Sequence, residues 1–108
     1  MTYYVAIKRY GRNPWDTSLD KFTVDASTAL IAAMKAADIK VPGGEDPLQY
    51  IERTSLNVDY EIPHRVGFAY EEFSVGAGRT KEEAMAMLTQ VDTPGDDDDE
   101  WEELEDAS

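Results

Sequence analysis

"VGFAYEEFSVGAGRTKEEAMAMLTQV", residues Val66–Val91, changes its hydrophobic period twice, and the reading of those changes decides the fold. Val66, Phe68 and Tyr70 share one parity, whereas Phe73, Val75 and Ala77 share the other. Side chains alternate faces along a strand, so one strand can turn both sets toward a single core only if an extra residue shifts the phase. A β-bulge at Glu71–Glu72 is the expected device. From Thr80 the spacing becomes helical, with Ala84, Met87, Leu88 and Val91 on one stripe. Thr80 and Glu83 stand at capping-box spacing and mark the helix start.

Working back along the chain, "SLNVDYEI" (Ser55–Ile62) alternates Leu56, Val58, Tyr60 and Ile62 with Asn57, Asp59 and Glu61. That pattern predicts a strand with one dry and one wet face, as in an antiparallel sheet exposed on one side. Residues 63–65, "PHR", turn the chain into the next strand. The first half repeats the theme. Tyr3–Tyr10 reads as a strand with Tyr3, Val5 and Ile7 facing the core and Tyr4, Ala6, Lys8 and Tyr10 facing away. Residues 11–20 are rich in turn formers and read as a loop, and Lys21–Ala26 alternates again as a second strand. Ser27 is the expected N-cap of a helix that places Leu30, Ala33, Met34 and Ala37 on one face. "VPGGEDP" (residues 41–47) ends that helix in a turn.

Shifted by 51 positions, Phe22, Val24, Ala26, Ala33 and Met34 fall on Phe73, Val75, Ala77, Ala84 and Met85, and Val5 and Ile7 fall on Leu56 and Val58. The match is open to two readings, a duplicated β-β-α unit or the coincidence of short periodic patterns. Either way the expected architecture is α+β, in the order β-β-α-β-β-α. It is a single small domain over residues 1–91, a four-stranded, mainly antiparallel sheet with two helices on one face. Residues 92–108 follow as an acidic tail.

The charge is unevenly placed. The formal net charge is −13, yet Asp92–Ser108 holds ten acids and no base, so this segment alone carries −10. Residues 1–91 set thirteen acids against ten bases, which leaves −3; of this, residues 1–44 are at +2 and residues 45–91 at −5. A protein whose folded surface imitates nucleic acid would spread its carboxylates over the body, and this body has few to spread. There is no cysteine, which excludes disulfides and thiolate chemistry and fits a reducing cytoplasm. No apolar run is long enough to span a bilayer, and the opening "MTYYVAIKRY" lacks a signal-peptide core, so a cytoplasmic protein is expected.

Three stretches could bind something. The acidic tail carries Asp96, Asp97, Asp98, Asp99, Glu100, Glu102 and Glu103 around two large apolar residues, Trp101 and Leu104. A solvating tail has no need of such anchors. Disordered alone because its charges repel, it would become helical on contact and set Trp101 and Leu104 side by side in an apolar groove with a basic rim. The N-terminal hairpin interleaves Tyr4, Tyr10 and Trp15 with Lys8 and Arg12, the stacking and phosphate-holding groups of a single-strand binding surface. Gly76 and Gly78, followed by Arg79, Thr80 and Lys81 at a helix start, could cradle an anion, although the P-loop spacing is absent.

His64 is the only histidine and reads as an exposed turn residue, because without cysteines it cannot complete a zinc site. No carboxylate pair or serine has the setting of a catalytic group, so neither enzymatic activity, a metal nor a cofactor is expected. The expected function is that of a small non-enzymatic inhibitor or regulator that engages a basic partner surface, in the manner of acidic phage-type proteins. The alternatives are a single-stranded nucleic-acid-binding module and an anion or nucleotide sensor.

Overall fold

The computed structural model describes residues 1–11, 17–61, 64–91 and 102–103. Five antiparallel strands form the sheet: β1 (Thr2–Tyr10), β2 (Thr17–Asp25), β3 (Asn57–Glu61), β4 (Arg65–Ala69) and β5 (Phe73–Gly78). Their spatial order is β3-β4-β5-β1-β2, and a two-residue strand, β6 (Glu102–Glu103), lies parallel to β2 beyond it. The helices are α1 (Ala29–Ala37), α2 (Pro47–Thr54) and α3 (Lys81–Val91). The α+β class and the antiparallel sheet match the sequence reading. The strand and helix counts do not.

The phase break at Glu71–Glu72 is a hairpin turn rather than a bulge. Tyr70 N–H donates to the Phe73 carbonyl (2.7 Å), and Ala69 then pairs with Ser74. Folding the chain back on itself puts Val66 opposite Ala77 and Phe68 opposite Val75, so both apolar sets still reach one core. One expected strand is thus two. The expected second-half unit gains a strand, and the shift by 51 carries the middle of β2 across this turn, which removes the structural case for a duplication.

α2 has no counterpart in the sequence reading, in which only its first residue, Pro47, falls in the expected turn. Asp46 caps it by accepting from Gln49 N–H (3.2 Å), and Pro47 occupies the first turn, where its missing N–H costs nothing. Ile51 is its one fully buried residue, with Leu48 and Tyr50 half-buried beside it. The α1 cap lies one residue later than expected, at Thr28, whose hydroxyl accepts from Ile31 N–H (3.2 Å). Asp38 closes the same helix in a left-handed conformation (φ 56°), and Ile39 N–H donates back to the Met34 carbonyl (2.9 Å), as in a Schellman motif. β2 also begins earlier than expected, because residues 17–20 continue the ladder to Tyr10 instead of forming a loop.

The largest correction concerns layers. Tyr3, Val5, Ile7, Val66, Phe68, Val75 and Ala77 pack on one side of the sheet against the alanine-rich face of α1 and against Ile51 of α2. The intervening positions, Ala6, Gly67, Gly76 and Gly78, point the opposite way, and α3 lies on them. A side chain at Gly76 would run into the Ala84 carbonyl and the Leu88 amide, and a Cβ at Gly67 would sit 2.6 Å from the Met87 carbonyl oxygen. Glycine is therefore needed for the helix backbone to approach the sheet. The sheet is covered on both faces, not one.

β3 also departs from its sequence pattern. It is an edge strand whose alternation creates no dry face: Leu56 precedes it and is 68% exposed, Tyr60 is exposed, and only Val58 is half-buried. Ile62 lies outside the described residues.

Candidate functional site

With helices over both faces, the open surface of the sheet is at its edges and hairpin ends. One cleft of about 380 Å³ forms where the end of α2 meets the β4–β5 turn, lined by Thr54, Leu56, Tyr70, Glu71, Glu72 and Phe73. The aromatic residues form its rigid part. Tyr70 lies against Phe73 with centroids 5.1 Å apart and meets Phe68 edge-on at 5.9 Å. The Tyr70 hydroxyl is 2.6 Å from the Thr54 hydroxyl, which itself donates to the Tyr50 carbonyl (2.8 Å). The threonine has one proton to give, so Tyr70 is the donor in that pair. Burial raises the Tyr70 phenol above the usual tyrosine range. Leu56 forms an exposed apolar wall, and Glu71 and Glu72 stand exposed at the turn. Apolar surface beside two carboxylates suits an apolar side chain next to a cation. Sequence reading missed this cleft because its floor comes from a turn taken for a bulge, and exposed Leu56 was assigned to the core.

The residues singled out from sequence are dispersed. Gly76 and Gly78 do not form a loop; they are strand residues paired with Ala6 and Tyr4 on β1 and buried under α3. At the helix start, Thr80 accepts from Glu83 N–H (3.1 Å) and the Glu83 carboxylate accepts from Arg79 N–H (3.0 Å). Thr80 caps the helix as read, while the Glu83 carboxylate reaches one residue further back than a capping box requires, and both bonds use donors that an anion would otherwise receive. Arg79 and Lys81 are exposed beside it.

Tyr4, Lys8 and Tyr10 do share the face away from the main core, but that face belongs to the interior strand β1 and lies on the α3 side. Tyr4 and Lys8 are half-buried, Lys8 sits 5.8 Å from the Tyr10 ring centre, and the Tyr10 hydroxyl bonds with Ser74 (3.0 Å). Arg12 and Trp15 lie outside the described residues. The open strand face that the nucleic-acid reading requires is narrowed by the helix laid over it.

His64 is half-buried rather than exposed. Its backbone N–H closes a turn to the Glu61 carbonyl (2.8 Å), and its buried Nδ1 has no hydrogen bond among the described residues. Among the described residues no three His, Cys, Asp or Glu side chains converge in a way that could hold a metal, and no helix is long and apolar enough to cross a membrane.

Of the acidic segment, Asp96–Trp101 and Leu104 lie outside the described residues. Glu102 and Glu103 are extended rather than helical, and they pair in parallel with Phe22 and Thr23. Among the described residues, these two are the sequence-marked ones that pair along the outer edge of β2. Compared with known protein families, curated proteins and solved structures, the chain matches none.

Proposed function

We propose that this chain is a small acidic binding protein without catalytic activity, a cytoplasmic inhibitor or regulator that engages a basic surface of a partner protein. The observation that carries this reading is the placement of ten carboxylates and no base in Asp92–Ser108, around Trp101 and Leu104. Dense like charge speeds encounter with a basic surface, and large apolar residues lengthen the life of the complex once formed. The acidic cleft at Leu56, Tyr70, Glu71 and Glu72 supports the same reading on the body, since it too favours a cationic neighbour. A partner surface that ordinarily holds nucleic acid meets these requirements, and occupying it would displace the nucleic acid.

Capture of partners on the full-length chain tests the reading. Retention of a basic protein should fall steeply as salt rises, because screening shortens the reach of the charges. Trp101→Ala should weaken retention more than neutralising any single tail acid. Equal losses from all of these changes would indicate undirected charge. Retention of single-stranded nucleic acid instead of a protein would replace this function with direct binding.

A further inference from the structure

From the seating of Glu102–Glu103 on β2, we infer that the outer edge of β2 is a receptor for an acidic extended strand, and that its occupant is the chain's own C-terminal segment in cis. An edge strand presents unpaired N–H and C=O groups and readily accepts another strand. The sheet has two such edges, and their chemistry differs. β3 carries Asp59 and Glu61, both exposed, and although Glu61 pairs with Arg65 (2.6 Å) the strand lies in the part of the body at −5. β2 lies in the part at +2. Its own acids are compensated: Asp20 lies 3.3 Å from Arg9 Nε, and Asp25 lies 2.9 Å from the N-terminal amine, which holds the Asp25 carboxyl below its ordinary range. The charge balance of the two halves thus favours an anionic ribbon at the β2 edge over the β3 edge.

Lys21 is the second observation. Its side chain is 7% exposed although it stands on the outermost of the five long strands, next to the pair Phe22–Glu102. It stands opposite Ala6 in the ladder, and the strand beyond it is the acidic β6. Burying an ammonium is costly without anionic or polar compensation. Parallel pairing of Glu102 and Glu103 with Phe22 and Thr23 places two acidic residues on the strand next to this cation, a complementary arrangement. The consequence for binding is competition. A basic partner must draw the segment off β2 before using it, so the edge tunes apparent affinity. The inference does not depend on the proposed function, because cis pairing can be measured with no partner present.

The chain has no cysteine, so Ser108→Cys accepts a single spin label on the otherwise intact protein. In the ¹⁵N-labelled, spin-labelled chain at low salt, the amides of Phe22, Thr23 and Val24 should broaden while those of Val58–Tyr60 remain sharp. The selective broadening should vanish at about 1 M salt, where the Debye length falls to roughly 3 Å. It should also be lost in Lys21→Gln, and in the double variant Glu102→Lys with Glu103→Lys, which leaves the packed domain untouched. Equal broadening at both edges, or broadening that survives the double variant, would overturn the inference. So would broadening that appears only when spin-labelled unenriched chains are mixed with unlabelled ¹⁵N chains, since the occupant would then be a second copy.

Discussion

The two faces of the sheet solve the same packing problem in opposite ways. On the α1 and α2 side, large side chains fill the space: Tyr3, Ile7, Phe68, Val66 and Val75 are all buried against small alanines on α1. On the α3 side the sheet supplies almost no volume, and Gly67, Gly76 and Gly78 let the helix backbone approach directly. The first face draws its stability from buried apolar area. The second depends on the absence of a single carbon at each contact. Alternation along β5 serves both, since Val75 and Ala77 point to one layer while Gly76 and Gly78 point to the other.

Substitutions can break this contrast at either face. Phe68→Ala should have the largest effect, about 3–5 kcal/mol lost in denaturant unfolding, because it empties the centre of the volume-filled layer. Gly76→Ala should come next, at about 1–3 kcal/mol or more, although it adds a methyl group and removes nothing. Gly43→Ala is the control with the smallest effect. A Cβ there meets nothing within 4 Å, so the change should stay within about 1 kcal/mol and on the stabilising side. If Gly76→Ala behaved like Gly43→Ala, the close approach of α3 would be wrong.

Much of this was legible in the sequence, and the failures have physical causes. Alternation along Tyr3–Tyr10 correctly assigned Tyr3, Val5 and Ile7 to the core, because β1 is interior and both parities are constrained. The Thr80–Glu83 box found the start of α3, because capping is local chemistry. α2 was hidden by its brevity and by a start, Asp46–Pro47, that serves a turn as readily as a helix. The Glu71–Glu72 hairpin was hidden because neither residue is a usual turn former. Leu56 misled because alternation records which way a side chain points, not whether anything covers it. The glycines misled most. Gly76 and Gly78 read as a candidate anion cradle before the helix, although their regular interleaving with Val75 and Ala77 is the available sign of a strand with a backbone-close face.

That last correction also directs the functional account, since covering both faces leaves the edges, the cleft and the acidic segment as binding surfaces. The most direct test is a set of proton–proton nuclear Overhauser contacts from the Gly76 α-protons. The account predicts contacts to Ala84 and Leu88 of α3 and none to Met34 of α1. Contacts from Gly76 to α1, with α3 packed beside it on the same face, would contradict it.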